Sequence, residues 1–384
     1  MAANTPVIVS AARTPQGKED GLLRNIRSED LSIHIIEHMM EETGLEADQI
    51  DDVMWGCAQT REEQGTNIAR QIAIFALDES VPGTTIDRQC ASSATTIMTA
   101  ADAIAAGRRD AIFAGGVESM SRVKMGEGAD QMYPGMDERY GMENLPMGQT
   151  AEKVAEEYDV SREEQDEFGA RSQQRAVEAT EEGRFDEEIV PITGHDEDGN
   201  EVTVTEDEGL RPGTTVEKLA ELPTVFKEDG TVTPGNASQI SDGAAGVLVT
   251  SKAFAKDNDL EILAEVGQSG VAGVDPTVMG IGPVPAVENM LERAGRTIDD
   301  YGLVEINEAF ASQVIASAEE LGIDHDILNV NGGAIAIGHP LGASGARLPV
   351  TLIHEMHRRG VERGIATECV GFGQGAAIEF ELTE

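Results

Sequence analysis

Residues 84–114, TTIDRQCASSATTIMTAADAIAAGRRDAIFA, contain the pattern that decides the fold. A short β-branched run is followed by a stretch rich in alanine, serine and threonine that begins at Cys90. The apolar residues of that stretch recur at helical spacing, which predicts a helix at about 91–106. The apolar run 110–114 then predicts a buried strand. This alternation of strands and helices favours an α/β fold in which helices cover both faces of a parallel or mixed sheet.

The last third of the chain repeats this plan. An Ile-Asp-Asp segment precedes a predicted strand at 50–52 and again at 298–300. Cys90 lies 40 residues after Ile50, and His339 lies 41 residues after Ile298. Each of the two opens a helix of small residues that leads to another strand. The recurrence predicts an internal duplication, with Cys90 and His339 at equivalent strand–helix junctions of two packed halves.

Between the two halves the pattern changes, at residues 119–240. Loops rich in glycine and methionine lead to an acidic stretch, 151–182, for which a helix is predicted, and then to turns around 196–200. We interpret 119–240 as an inserted loop domain. The predicted N-terminal half comprises residues 1–118 and 241–268, and the predicted C-terminal half comprises residues 269–384.

The formal net charge of −43 is the most extreme feature of the composition, with seven lysines against 21 arginines. Such a surface repels nucleic acids and anionic membranes, so neither is expected as a partner. Like charge of this size destabilises a compact chain unless ions screen it, and at about 1 M salt the Debye length is about 3 Å. The composition therefore predicts a protein adapted to a salt-rich cytoplasm.

Other classes of protein are disfavoured by what the sequence lacks. No apolar stretch is long enough to cross a bilayer, and residues 1–5 lack the features of a signal peptide, so a soluble cytoplasmic protein is expected. Three cysteines, Cys57, Cys90 and Cys369, are too few for a disulfide framework, and no Cys-x-x-Cys spacing suggests a metal site. We expect reduced thiols with individual roles, and we assign Cys57 to core packing.

Cys90 is the first candidate for chemistry, because it follows a predicted strand and lies in the first turn of a helix. Free N–H groups and the positive end of the helix dipole favour a thiolate there. The alternative is a buried thiol that acts only as a small apolar side chain, which is the common role of a lone cysteine.

Three further segments contain candidate polar groups. His339 lies among five glycines in 331–347; a phosphate loop would need a Gly-Lys-Ser/Thr ending, which is missing, and a structural histidine is the other alternative. Cys369 begins Cys-Val-Gly-Phe-Gly-Gln-Gly, whose backbone N–H groups could hold an oxyanion. Asn307 follows a predicted strand, where its side chain can enter a cleft.

Together these segments resemble the thiolase family along almost the whole chain. The motifs that carry the resemblance are VSAARTP at 9–15, RQCAS at 88–92, GGVESM at 115–120, GTVTPGNASQ at 230–239, NEAF at 307–310, GHP at 338–340 and the Cys369 turn. The resemblance implies a thiolase fold of two similar βαβαβαββ halves that form a five-layered αβαβα core with an inserted loop domain. It also implies a homodimer or homotetramer.

The resemblance further implies a role for each candidate. Cys90 is similar to the acylated nucleophile, His339 to its base, and Cys369 to the second acid/base. Asn307 would hold a water that forms one oxyanion hole with His339, and Gly371 would supply an N–H to the other. No permanent cofactor is implied, since coenzyme A and acyl-CoA thioesters are the substrates. The CoA-binding positions implied are Arg211, Phe226, Ser238, Met147, Ala309 and Phe310, and for Arg211 a surface ion pair is the alternative.

Departures from the family pattern bear on the subtype. Pro146 takes the place of a histidine typical of biosynthetic acetoacetyl-CoA thiolases, and with Ser238 it is more similar to degradative 3-ketoacyl-CoA thiolases, which we favour. Phe372 replaces a glycine and would narrow the acyl pocket. The alternatives are a short-chain acetyl-CoA acetyltransferase and, from another class, a non-catalytic CoA-binding subunit of a complex. A multienzyme partner is left open, and ketoacyl synthases are disfavoured because they use two histidines.

Overall fold

The computed structural model describes residues 2–126 and 132–383 of the chain. Its first elements are β1 (Pro6–Arg13), β2 (Gly17–Lys18), α1 (Ser28–Thr43), β3 (Asp52–Gly56), α2 (Ile68–Ala76), β4 (Gly83–Ile86), α3 (Ser92–Ala105) and β5 (Ala111–Ser119). Next come α4 (Gly135–Tyr140), α5 (Met147–Glu157), α6 (Arg162–Glu181), β6 (Ile192–His195), β7 (Glu201–Val204) and α7 (Val216–Ala220). The last are β8 (Ser241–Ser251), α8 (Lys252–Asp257), β9 (Ala264–Gly273), α9 (Pro283–Ala294), β10 (Leu303–Ile306), α10 (Ala311–Leu321), α11 (Ala334–Ile337), α12 (Leu341–Arg359), β11 (Arg363–Val370) and β12 (Gln374–Glu381).

The two halves of the large sheet have the same strand topology. In the first half β3 pairs in parallel with β5, β5 pairs antiparallel with β8, and β8 pairs antiparallel with β1. In the second half β10, β11, β12 and β9 repeat that order and those directions. The halves meet where Val7 and Ile8 of β1 pair with Glu265 and Ala264 of β9. This repetition confirms the predicted duplication.

Three apolar clusters lie between five layers of structure, and one of them fills both faces of the middle layer. α1 and α2 cover the outer face of the first half-sheet, where Ile35 and Ile72 are fully buried. α3 and α12 lie between the two half-sheets, and their cluster joins Ile97 and Leu352 to strand residues of both halves. α9 and α10 cover the outer face of the second half-sheet. The order helix, sheet, helix, sheet, helix confirms the predicted αβαβα fold.

The acidic stretch 151–182 forms two helices rather than one. α5 ends at Glu157, and α6 begins after Ser161, whose hydroxyl accepts a hydrogen bond from the N–H of Glu164. The Glu164 side chain accepts one from the N–H of Ser161 in return. The stretch is helical, as predicted, but it is divided in two because this capping box starts a new helix.

The domain division predicted from the sequence remains a proposal, with one change. β5 ends at Ser119 and β8 begins at Ser241, which supports an inserted unit at 119–240, although 127–131 lie outside the described residues. The predicted division at residue 268 falls inside β9, and β9 pairs with β12 along its length. We therefore propose a division in front of Ala264. None of the described helices is long and apolar enough to cross a membrane.

The inserted segment is tied to the first half by a buried arginine. Arg13, at the end of β1, is fully buried and bonds Glu188 through Nε at 2.7 Å and Asp207 through Nη1 at 2.7 Å. Charge-assisted bonds of this kind have defined geometry, and removal of one partner leaves an uncompensated buried charge. The arrangement fixes where the inserted segment joins the core.

Candidate active site

Cys90 lies at the end of a tight turn between β4 and α3. Gln89 has a φ of 48°, a left-handed conformation that is uncommon for residues other than glycine. The hydroxyl of Ser92 donates to the Gln89 carbonyl at 2.6 Å and accepts the N–H of Arg88 at 3.0 Å. Backbone strain of this kind concentrates at functional sites, and here it adjoins a buried thiol.

The Cys90 thiol is uncharged in the resting protein. Burial raises the pKa of Cys90 to about 12, and hydrogen bonds from the N–H groups of Gly371 and Cys90 offset only part of this; a negative charge on Glu368 would raise it further. The expectation that the helix start favours a thiolate is therefore wrong, because desolvation outweighs the dipole. The thiol needs a base to remove its proton during a reaction.

His339 is held in the tautomer that a base requires. Its Nδ1 lies 2.6 Å from the Oγ of Ser344, and that hydroxyl donates to the carbonyl of Pro340 at 3.0 Å. Because a hydroxyl has only one proton, Nδ1–H is the donor to Ser344, and Nε2 is left as the acceptor. Burial, with a smaller effect of the Arg347 guanidinium, lowers the pKa of His339 to about 3. The imidazole is thus neutral at physiological pH.

Asn307 faces the imidazole of His339. Its Nδ2 lies 3.3 Å from Nε2 and 3.4 Å from Nδ1 of that ring. The backbone of Asn307 is fixed by an N–H bond to the Thr367 carbonyl and by a bond from the Gln313 side chain to its own carbonyl, both 2.9 Å. Its side-chain oxygen is buried and has no partner among the described residues. Such an atom is suited to bind a water.

Cys369 and Gly371 lie beside Cys90. Burial, followed by electrostatic interaction with Cys90, raises the pKa of Cys369 well above its usual value. A Cβ on Gly371, two residues after Cys369, would lie 3.4 Å from Cγ of Gln89, so this turn contacts the residue before Cys90. The strand β11 ends at a turn in which Phe372 and Gly373 have φ values of 63° and 77°. In this turn the N–H of Gly371 bonds the Cys90 thiol. The structure thus brings together two thiols and a backbone donor from distant parts of the chain.

His339 approaches the same place through the start of α12. Leu341, two residues further on, packs with Cys90, Met120 and Ala58. The buried carboxylate of Glu118 accepts the N–H groups of Ala58 and Gly342 at 2.9 Å each. This carboxylate therefore ties the start of α12 to the loop after β3.

An apolar wall lies on the Cys369 side of the site. Cys369, Ala309 and Phe310 belong to one buried cluster, and Met147 packs against it. The N–H of Ser238 donates to the Ala309 carbonyl at 2.9 Å. The ring of Phe226 meets that of Phe310 edge-on, with centroids 6.2 Å apart. Five of the six candidate CoA-binding residues are therefore contiguous.

Arg211, the sixth, is exposed and lies in a different groove. Its N–H bonds the Gln173 side chain at 2.9 Å, and its Nη2 is 3.5 Å from Gln239 Oε1. A groove of about 380 Å³ adjoins it, with Thr214 and Thr215 in the lining. No ion pair of Arg211 occurs within residues 2–126 and 132–383, so the alternative of a surface ion pair has no support there.

Two functional contacts were missed in the sequence. Ser344 lies five residues after His339 in the same glycine-rich segment, where only the helical geometry of α12 brings its hydroxyl back to Nδ1. Glu118 belongs to the GGVESM motif, but its bonds to Ala58 and Gly342 join segments more than 200 residues apart. The only signals in the sequence were that Ser344 lies in the glycine-rich segment 331–347 and that Glu118 lies in the GGVESM motif.

The site has the groups required for acyl transfer through a thioester. A thiol beside a neutral imidazole can act as a nucleophile, a second thiol can move a proton at carbon, and fixed N–H groups can stabilise an oxyanion. The part of the chain that the structure describes has no cluster of three or more histidine, cysteine, aspartate or glutamate side chains placed to bind a metal ion. Fold and site together define an acyltransferase that works through an acylated cysteine.

Comparisons with known proteins identify the family. Residues 6–253 match the family model "Thiolase, N-terminal domain", and residues 260–382 match "Thiolase, C-terminal domain". The 3-ketoacyl-CoA thiolase of Pseudoalteromonas translucida is 47% identical over 388 residues, which cover 99% of this chain and 100% of that protein. The chain belongs to the thiolase family.

Solved structures agree with this assignment. The Bacillus anthracis acetyl-CoA acetyltransferase is 40% identical, with a TM-score of 0.92 over 99% of both chains. The human mitochondrial 3-ketoacyl-CoA thiolase in complex with CoA is 36% identical, with a TM-score of 0.91 over 100% of this chain and 99% of that one. The protein is an acyltransferase of the thiolase type, for which coenzyme A is a substrate.

Proposed function

We propose that this chain cleaves 3-ketoacyl-CoA thioesters with CoA, and catalyses the reverse Claisen condensation, through an acyl group on Cys90. The observation that carries the proposal is the pair of buried thiols, Cys90 and Cys369, with the N–H of Gly371 bonded to the first. In this proposal Cys90 takes the acyl group, and Cys369 moves a proton at the neighbouring carbon.

In the first half-reaction, Nε2 of His339 accepts the Cys90 proton as the sulfur adds to the 3-keto carbon. The N–H groups of Cys90 and Gly371 stabilise the oxyanion. The bond between C2 and C3 then breaks, and its electron pair stays on C2 as the enolate of acetyl-CoA. His339 and a water bound by Asn307 hold the enolate oxygen, and Cys369 donates its proton to C2.

In the second half-reaction a CoA thiol replaces Cys90 on the acyl group. The Cys369 thiolate accepts the proton of the incoming thiol, and the CoA sulfur attacks the acyl-Cys90 carbonyl. Cys90 leaves as a thiolate and recovers its proton from His339. Both half-reactions together restore every proton, which is the condition for ping-pong turnover without an external acid or base.

We favour a degradative or broad-chain 3-ketoacyl-CoA thiolase of β-oxidation. The 47% identity to a protein of that name supports this subtype, and so do Pro146 and Ser238. A short-chain acetyl-CoA acetyltransferase is the second candidate, supported by the 40% identity to the B. anthracis protein of that name. The ratio of kcat/KM for acetoacetyl-CoA to that for longer 3-ketoacyl-CoAs separates the two candidates.

We propose that CoA lies along the apolar wall and reaches towards Arg211. Phe226 would contact the adenine–pantetheine region, Ser238 would bond a pantetheine amide, and Met147, Ala309 and Phe310 would line the tunnel. Arg211 would bind near the nucleotide, as an unpaired cation on an acidic surface attracts phosphate.

We further propose a homodimer or homotetramer. β4 is an edge strand of the described sheet, and on the adjacent α2 Phe75 is 74% exposed. An open edge next to exposed apolar side chains favours association with another copy. A cytoplasmic location and a multienzyme β-oxidation partner remain predictions.

Mass spectrometry of the acyl-enzyme tests the proposed function. Incubation with acetyl-CoA or acetoacetyl-CoA in concentrated salt is expected to acetylate Cys90. The adduct should be lost in Cys90→Ala and kept in Cys57→Ala, which removes a buried thiol outside the site. A folded wild-type protein without an adduct would favour a non-catalytic CoA-binding subunit. An adduct that persists in Cys90→Ala would mean that another residue is the nucleophile.

A further inference from the structure

Three ionisable side chains lie inside the apolar central layer, beneath the proposed acyl-transfer site. They are Glu305 of β10, Arg347 of α12 and Glu368 of β11, and none is more than 3% exposed. The shortest ion pair among them, Arg347 Nη1 to Glu305 Oε2, is 3.6 Å long. Both Glu368 oxygens and all three Arg347 nitrogens have no hydrogen-bond partner among the described residues. Buried groups that are unpaired in this way require internal water or a change of charge.

Glu368 directly precedes Cys369 on β11. Successive residues of a strand point to opposite faces, so Cys369 faces the site and Glu368 faces the central helices. A Cβ on Gly345 of α12 would lie 2.5 Å from Glu368 Oε1 and 2.5 Å from the N of Ala94. The carboxyl group is therefore enclosed where α12 crosses the first turn of α3, four residues after Cys90.

The charges of the cluster do not balance if both carboxyls are ionised. Arg347 is within 4.0 Å of Glu305 but makes no ion pair of that length with Glu368. Burial raises the pKa of Glu368 well above its usual value, and the positive charge of Arg347 offsets only part of this. Burial also raises the pKa of Glu305, to about 8, and the positive charge of Arg347 offsets part of this. We assign the negative charge to Glu305, because Arg347 lies within 4.0 Å of it, and the proton to Glu368. The other ionisable groups that interact with the cluster are Cys90 and Cys369 beside Glu368, His339 and Arg13 beside Arg347, and Glu188, Glu308 and Glu355 around Glu305.

We propose that Glu368 is a positioning residue that must remain an uncharged carboxylic acid for Cys90 to react. When Glu368 loses its proton to solvent, its negative charge acts on Cys90 and opposes formation of the thiolate. No substrate bond is involved, and the proton returns when the pH falls. The inference rests on the proposed function, since it names the group that sets the alkaline limit of acylation at that site.

The test measures alkylation of Cys90 by iodoacetamide as a function of pH, in wild type, Glu368→Gln and Glu305→Gln. Below neutral pH, wild type and Glu368→Gln should react within roughly two-fold of each other, and at alkaline pH the variant should react at least roughly five-fold faster. In Glu305→Gln the alkylation rate should fall below that of Glu368→Gln at a lower pH than in wild type. The reason is that Arg347 then stabilises the Glu368 carboxylate instead of the Glu305 carboxylate. The pH at which kcat/KM for thiolysis declines on the alkaline side should be about one pH unit higher in Glu368→Gln than in wild type.

Two results would overturn the inference. One is superimposable pH profiles for wild type and Glu368→Gln, and the other is a Gln variant that reacts more slowly at every pH, which would mean that a charged Glu368 supports the site. Glu368→Leu, also uncharged, provides a second variant if Glu368→Gln fails to fold. The infrared difference spectrum should contain a carboxylic acid C=O band at neutral pH that disappears in Glu368→Gln. Alkylation needs no CoA chemistry, so failure of the proposed function would appear separately, as a missing acetyl adduct.

Discussion

At the scale of single residues, one serine sets the direction of proton transfer in the proposed mechanism. Ser344 donates to the Pro340 carbonyl and therefore accepts from Nδ1 of His339, which leaves Nε2 as the only basic nitrogen. Without that acceptor the ring is free to rotate or to carry its proton on Nε2, where it cannot act as a base. In the proposed mechanism, the neutral imidazole accepts the proton of the neutral thiol only in the tautomer that Ser344 selects.

Ser344→Ala is expected to lower kcat roughly 10- to 100-fold, with little change in KM for CoA, since the loss affects proton transfer and not ligand binding. Steady-state thiolysis measures both constants. Ser317→Ala is the matched control, because Ser317 is also a buried helical serine that donates to a carbonyl, that of Gly280 at 3.2 Å. An unchanged kcat in Ser344→Ala would show that the tautomer does not depend on this bond.

At the scale of elements, the site depends on the close packing of α12 against β5 and α3. A Cβ on Gly116 of β5 would lie 2.1 Å from the Gly342 carbonyl and 2.8 Å from Ser93 Cβ. A Cβ on Gly342 would lie 2.6 Å from the Val117 carbonyl. Glycines at these positions let the two central helices begin beside each other, and this brings the segments of Cys90 and His339 together.

Gly116→Ala is expected to cost roughly 3 kcal/mol or more of unfolding free energy, because backbone atoms on both sides must move. Gly273→Ala in β9 is the matched control: it is another strand glycine whose φ is not positive, and the nearest atom to its Cβ would be the Gly373 carbonyl at 3.9 Å. Its cost should stay within about 0.5 kcal/mol. Urea denaturation of both variants measures the difference, and equal stabilities would contradict the packing described here.

At the scale of the whole molecule, the net charge of −43 dominates the energetics of the surface. The few cations are used locally, as when Arg13 pairs with Glu188 and Asp207 in the interior. Most acidic side chains have no such partner available, since acidic residues number 71 and basic residues 28. Their mutual repulsion opposes the compact state and weakens as the Debye length shortens.

We expect the unfolding free energy to rise by a few kcal/mol between dilute buffer and molar potassium chloride, because salt screens this repulsion. Urea denaturation across a salt series provides the measurement. Sucrose is the control, since it is excluded from protein surfaces but screens no charge. Equal stability in dilute buffer and in molar salt would remove the support for adaptation to a salt-rich cytoplasm.

The sequence by itself determined the duplicated order of strands and helices. It also predicted equivalent strand–helix junctions for Cys90 and His339, and this was wrong for His339, which lies between α11 and α12, whereas Cys90 follows β4. The order of strands and helices follows from local periodicity and spacing, which can be read from the sequence alone. The sequence also contained the capping box at Ser161, which marks a helix break that the periodicity alone concealed.

Only the tertiary structure decided the protonation states and the partners of the site residues. The neutral thiol of Cys90, the Ser344 contact and the unpaired carboxyl of Glu368 arise where distant segments exclude water together. The division that we propose before Ala264 likewise depends on the pairing of β9 with β12. Desolvation and strand pairing arise only when segments that are distant in sequence pack together, so no single segment of the sequence predicts them.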